Sequence, residues 1–227
     1  MTTPSTRPSD DRTSASTSAS ASATLPTALL LLGGPRERVA DWVGRSVVPL
    51  VWAPAGRWSL VVAVGGTRTG PPYDDGALLL AGRPVPGRTG PALGFFEVGG
   101  RAVVTLHTAG RRRGPGWVVW EPEVGLVRPP GLDLAGPGEI VRAAGCPARS
   151  REELVDLLHE TRPRPVTMLQ AVMATLGLPG PRLLQDPARA EDLPGAARHE
   201  PSGRQVTWFE DAVADSVRLR RELGVLE

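Results

Sequence analysis

Two β-rich runs joined by a double glycine constrain the fold of this chain more than any other feature. The runs LGFFEV and RAVVTLH, within residues 93–107, flank Gly99-Gly100. Adjacent glycines between strand-like segments are typical of a primed two-residue turn, because both turn positions need a positive φ. The pattern therefore predicts an antiparallel hairpin.

Further strand-like runs surround this hairpin. Residues 27–33, with the apolar run ALLLL, predict a short strand, after which the sequence GGPRERVADWVGR predicts a tight turn and a helix. A second hairpin is predicted over residues 47–64, where PAGR has turn chemistry. The runs ALLLAG, near 77–81, and GWVVW, at 116–120, predict two more strands, and GLVRP pairs back with the second of them.

The pattern becomes helical after residue 137. Ser150–Thr161 predicts the best-defined helix, with a capping box between Ser150 and Glu153. Other helical segments are predicted over Gly138–Ala144, Pro165–Gly177, a short stretch after Asp186-Pro187, and Val206–Leu223 with Val213, Val217 and Leu223 facing inward.

Strands that precede helices favour the α+β class. We predict a mainly antiparallel sheet of five to seven strands with an early βα unit, packed through one face against three or four C-terminal helices. The domain assignment is a disordered Ser/Thr/Ala-rich tail at 1–24 and a single domain at 25–227, sheet-rich over 25–135 and helical over 136–227. A separate helical domain after residue 135 is the alternative.

Composition restricts the setting of the chain. No large apolar residue lies between Met1 and Leu25, so this segment cannot bury enough surface to become ordered. No apolar run is longer than that of Ala28–Leu32, which is far shorter than a membrane span. Cys146 is the one cysteine, which agrees with a reducing, cytoplasmic location. The absence of Lys and Asn, with abundant Arg, Ala, Gly and Pro, indicates a GC-rich bacterial genome.

Charge is distributed unevenly along the chain. Residues 27–149 hold 14 Arg against 9 acidic residues, whereas residues 150–227 hold 10 Arg against 13. The formal net charge of the whole chain is only +2, which does not indicate a nucleic-acid partner. We interpret the asymmetry as attraction between the sheet region and the helical region.

The sharpest local charge feature is Arg111-Arg112-Arg113, flanked by glycines and followed by Trp117. A basic loop beside an aromatic ring suits phosphate contact with base stacking. This is the candidate binding site of the sequence, and the competing interpretation is a solvated loop in an Arg-rich protein.

Catalytic and metal-binding patterns are weak. His107, His159 and His199 lack the spacing of a zinc site, and no cofactor or metal is predicted. The leading hypothesis is a non-catalytic interaction or regulatory module with a protein partner or a second copy of itself. The alternatives are an enzyme built around one of the histidines and a weak nucleic-acid binder that uses the Arg111–Arg113 loop.

Overall fold

The structure is a computed structural model that describes residues 26–108 and 114–223. The predicted tail at 1–24 and the Arg111–Arg113 loop lie outside these residues. The described strands are β1 (Ala28–Leu32), β2 (Leu50–Ala55), β3 (Trp58–Ala63), β4 (Ala92–Val98), β5 (Arg101–His107), β6 (Gly116–Glu121), β7 (Gly125–Val127) and β8 (Ala197–His199). The described α-helices are α1 (Arg36–Val43), α2 (Gly76–Gly82), α3 (Pro137–Ala144), α4 (Ser150–His159), α5 (Pro165–Thr175) and α6 (Gly203–Glu222).

The strands form one sheet in the order β7-β6-β5-β4-β1-β3-β2-β8, and every neighbouring pair is antiparallel. The α+β class and the antiparallel sheet are therefore confirmed. The sheet has eight strands rather than five to seven. The additional edge strand, β8, consists of Ala197, Arg198 and His199, whose side chains show no strand-like alternation.

The turn between β4 and β5 has the predicted geometry. Gly99 and Gly100 adopt φ values of 55° and 74°, the left-handed region that a primed turn requires at both positions. Val98 pairs with Arg101 directly across the turn, and the ladder continues to the pair Ala92–His107. The second predicted hairpin, formed by β2 and β3, is also present.

The central strand β1 is buried on both faces. Its sequence ALLLL is apolar at every position, and all five residues are buried. Since alternate side chains of a strand point to opposite faces, Leu29 and Leu31 face one side of the sheet while Leu30 and Leu32 face the other. Such a strand needs a covering layer on each face.

The first covering layer consists of α3, α4 and α5. Leu29 and Leu31 belong to the same buried cluster as Ile140 of α3, Leu154 of α4 and Met168 of α5. These are the C-terminal helices predicted from the sequence. The predicted capping box of α4 is wrong, because Ser150 is the first helical residue and the capping position falls on Arg149 without a side-chain hydrogen bond.

The second covering layer consists of α1 and α2, on the face opposite to the C-terminal helices. Leu30 and Leu32 cluster there with Val39 and Trp42 of α1 and with Leu80 of α2. The layer of C-terminal helices on one face was predicted, whereas this second layer on the other face was not. The sheet is therefore the middle layer of three.

The predicted strand near 77–81 is also wrong, because this segment is α2. The Asp75 carboxylate accepts hydrogen bonds from the backbone N–H groups of Ala77 and Leu78, which caps the start of a helix. Within the helix, Ala77 and Leu80 are buried while Leu78 is half exposed. A short run that is apolar throughout has no period, so it does not distinguish a strand from a helix.

The last helix, α6, is only lightly attached to the rest of the fold. Val206 is its one buried residue among those described, and Val213 and Val217 are half-buried. The prediction that Leu223 faces inward is wrong, since this side chain is 68% exposed. No described helix combines the length and the apolarity that a bilayer crossing needs.

Replacing Leu31 by Ala tests the importance of the central strand. Leu31 is fully buried in the cluster beneath α5, so we expect Leu31→Ala to lower the free energy of unfolding by about 2–5 kcal/mol in urea denaturation. The matched control is Leu219→Ala on α6, where the side chain is 55% exposed and the expected change is within about 0.5 kcal/mol. Equal losses in both variants would contradict this account of the core.

Candidate functional site

A groove of about 830 Å³ lies between α2 and α6. One wall is α2 with the segment that follows it, the other is the first half of α6, and the floor is the chain between α1 and β2. The side chains that make the groove apolar are Val47, Val48, Leu78, Leu79, Leu80, Trp208, Phe209 and Val213. Its size falls within the range of about 300–1,000 Å³ that is usual for small-molecule sites.

The wall formed by α6 is held in place at its N-terminal end. Ser202 caps the helix and forms a reciprocal capping box with Gln205. The Gln205 side-chain amide also donates a hydrogen bond of 2.6 Å to the carbonyl oxygen of Gly44, just after α1. Phe209 packs edge-to-face against Tyr73, with 5.7 Å between ring centroids. The first two turns of α6 are therefore anchored at three points.

The second half of α6 has no comparable anchor among the described residues. The ion pairs of Arg218 are with Asp215 and Glu222 of the same helix. A further depression of about 720 Å³ runs between this half and the loop that carries Tyr73. Tyr73 therefore contacts the helix between the groove and this second depression.

Tyr73 itself is positioned by a short polar loop. The hydroxyl of Thr69 is buried and donates a hydrogen bond to the Tyr73 carbonyl oxygen. Thr67 bonds both to the Thr69 hydroxyl and to the Thr69 backbone N–H. This local network fixes the ring against which α6 rests.

Arg83 lies at the end of the groove where α2 terminates. Its guanidinium stacks on the Trp42 ring, 3.9 Å from the ring centroid, and Nη2 donates a hydrogen bond of 2.5 Å to the Trp42 carbonyl oxygen. The Trp42 indole N–H in turn donates to the carbonyl oxygen of Pro84. The other terminal nitrogen of Arg83, Nη1, is buried and has no hydrogen-bond partner among the described residues.

The charged groups near Arg83 do not neutralise its positive charge. Burial, and to a smaller extent the nearby charge of Arg45, lower the pKa of Arg83 to about 10, so the side chain remains protonated at neutral pH. Asp75 also lines the groove, but its carboxylate accepts hydrogen bonds from the start of α2. The end of the groove where α2 terminates therefore carries the two cations Arg83 and Arg45, whereas the Asp75 carboxylate lies at the other end of α2.

The candidate site predicted from the sequence is only partly covered by the described residues. Arg111, Arg112 and Arg113 are outside the described residues, so their relation to Trp117 stays a prediction. Trp117 itself is half-buried on β6, where it pairs with Thr105 and packs beside the cluster formed with α1 and α2. It lies in the sheet and not in the groove.

The three histidines lie on three different elements. His107 is buried at the end of β5, His159 is exposed on α4 with Nδ1 2.8 Å from the Val155 carbonyl oxygen, and His199 on β8 places Nε2 3.0 Å from the Ser46 carbonyl oxygen. Within residues 26–108 and 114–223, no group of three or more His, Cys, Asp or Glu side chains is arranged to hold a metal ion.

Cys146 has the surroundings of an unreactive thiol. Its Sγ donates a hydrogen bond to the Leu176 carbonyl oxygen, at 3.1 Å. Burial raises the pKa of this thiol and outweighs the opposing effect of Arg57, so the nucleophilic thiolate is disfavoured.

The groove is the part of the molecule that the sequence did not reveal. The sequence predicts its α2 wall to be a strand, and Trp208 is 73% exposed at its rim. The spacing of Val206, Phe209, Val213 and Val217 is the one signal in the sequence for an apolar helix face.

Comparison of the chain with protein-family models, curated proteins and solved structures gives no match. The functional argument therefore starts from the geometry and chemistry of the groove.

The burial of His107 predicts a specific loss of stability in acid. Burial lowers the pKa of His107 from 6.5 to about 4, so between these pH values the unfolded chain binds a proton that the folded chain does not. We expect this group to contribute a loss of about 2 kcal/mol in the free energy of unfolding between pH 7 and pH 4.5.

Urea denaturation at both pH values measures this effect. The His107→Gln variant should lose less stability than the wild type on acidification, by the amount given above. His159→Gln is the matched control at an exposed position and should behave as the wild type does. If the free energy of unfolding falls equally on acidification in His107→Gln and in the wild type, His107 is protonated to the same extent in the folded and the unfolded chain.

Proposed function

We propose that this chain is a non-catalytic binding module whose groove between α2 and α6 holds the apolar part of an amphipathic molecule. The observation that carries the proposal is the concave, apolar lining of the groove. Removing apolar surface from water is favourable, by about 25 cal/mol for each Å² buried. A ligand that covers this lining gains affinity from burial alone.

The rim of the groove supports this proposal. Leu78 is 50% exposed on α2, and Trp208 is 73% exposed on α6. Single exposed apolar residues are common on protein surfaces, but two large ones that face a shared apolar concavity are typical of an interaction site. Trp is also enriched among the residues that contribute most to binding.

The polar groups of the groove support binding rather than chemistry. Asp75 caps α2, Gln205 bonds to Gly44, and the Ser46 hydroxyl accepts a hydrogen bond from the Val48 backbone. Each of these groups already has a structural partner. A catalytic site needs a nucleophile or an acid next to a base of matched pKa, and the groups that line the groove do not form such a pair.

A second candidate function is association with a protein partner or a second copy of the chain through the outer face of α6. Leu219 and Leu223 are four residues apart, which places them on one side of the end of the helix. Both are more than half exposed, and neither lines the groove. Weak nucleic-acid binding through Arg111–Arg113 remains a further hypothesis, and its test is the salt-dependent affinity of the triple Ala variant.

Binding of a neutral apolar dye tests the groove. We expect Nile red to bind the full chain with enhanced fluorescence, and Val213→Glu to weaken its affinity by about tenfold or more, since a carboxylate is costly to bury in an apolar site. Leu219→Glu is the matched control, because it places the same charge on the outer side of the same helix.

Each outcome of this dye experiment is informative. Loss of binding in Val213→Glu alone supports the groove. Loss of dye binding in Leu219→Glu alone supports the outer face of α6 as the interaction surface. The same variant should then change the sedimentation coefficient of any oligomer. Circular dichroism of both variants shows whether α6 is still helical. Unchanged dye binding in both variants contradicts the groove proposal.

A further inference from the structure

The positive charge of Arg83, at the end of the groove, indicates the charge of the polar group that the ligand carries. Arg83 makes no ion pair with a described carboxylate, although it is largely buried against Trp42. Buried charges in proteins are ordinarily paired, because an uncompensated charge in a low-dielectric site is costly. The unpartnered Nη1 atom is the specific sign of missing compensation.

The neighbouring charges favour an anion at this position. Arg45 is exposed, lines the same end of the groove and repels Arg83. Asp75 is the acidic residue of the lining, and its hydrogen bonds to Ala77 and Leu78 hold it at the start of α2. An anion between Arg45 and Arg83 would relieve the repulsion between them, whereas a cationic group would increase it.

We propose that the groove binds a long-chain carboxylate, with its hydrocarbon chain between α2 and α6 and its carboxylate at the Arg83–Arg45 end. This inference rests on the proposed function of the groove. A carboxylate fits better than a phosphate, because a singly charged group loses less hydration on entry and is repelled less by Asp75. Since protein atoms cover Nη1, we expect a small rotation of the Arg83 side chain to accompany binding.

Three probes with the same hydrocarbon chain test the role of the head group. Laurate, dodecanol and dodecyltrimethylammonium carry an anionic, a neutral and a cationic head. Each is titrated against Nile red bound to the full chain, the two ionic probes below their micelle concentrations and dodecanol below its solubility limit. We expect laurate to displace the dye at about tenfold lower concentration than either of the others. The reason is that one hydrogen bond to a charged group contributes enough free energy for a tenfold difference in affinity. Equal displacement by all three overturns the inference.

Variants of the two arginines locate the head group. Arg83→Met removes the charge but retains a side chain of similar length. It should weaken laurate binding about tenfold and leave the affinity for dodecanol unchanged. Arg88→Met is the matched control, because Arg88 is exposed in the turn after α2 and does not line the groove. If Arg83→Met does not fold, the surface variant Arg45→Glu carries the test and should also weaken laurate selectively.

The result separates this inference from the proposed function. Nile red binding with no preference for laurate, or with laurate affinity unchanged in Arg83→Met, overturns the carboxylate assignment and leaves the apolar groove in place. No Nile red binding at all overturns both. Tight binding of an acidic amphipathic peptide in the groove without laurate binding also overturns the assignment, in favour of a protein ligand.

Discussion

The burial of β1 on both faces is the constraint on which the rest of the structure depends. Four consecutive leucines occupy its centre, and a strand directs them alternately to opposite sides. Each fully buried leucine contributes about 1.5–3 kcal/mol only if both sides are covered. The chain meets this requirement with α1 and α2 on one face and α3, α4 and α5 on the other.

The groove follows from how the second face is covered. α2 uses Ala77 and Leu80 to contact the sheet, which leaves Leu78 exposed and Leu79 partly buried at the side of the helix. After β8, at the sheet edge, the chain enters α6 beside α2 instead of joining a layer on the sheet. Because α6 touches the body mainly through Val206, Phe209 and Gln205, the space between the two helices is only partly filled.

The features that could be predicted from the sequence are those fixed by local chemistry. The Gly99-Gly100 turn and the β2–β3 hairpin depend on residues near one another in the chain, and both predictions are confirmed. The helical nature of α2 was not predictable from its apolar pattern alone, and the one local signal, the Asp75 cap, was overlooked. β8 pairs with β2 through the backbone across more than 140 residues, which no local pattern records. The groove depends on both of these elements, so it could not be predicted either.

The signals of the tryptophan indoles test the central claim, that an amphipathic carboxylate binds between α2 and α6. Trp208 lines the groove, and the Trp42 indole bonds to Pro84 next to Arg83. Trp58 and Trp120 are buried in the cluster on the opposite face of the sheet. In a titration of the ¹⁵N-labelled full chain with laurate, the account predicts that the indole N–H resonances of Trp208 and Trp42 shift in parallel and saturate. Those of Trp58 and Trp120 should stay in place. Saturable shifts confined to Trp58 and Trp120, or no shift at any indole, would contradict it.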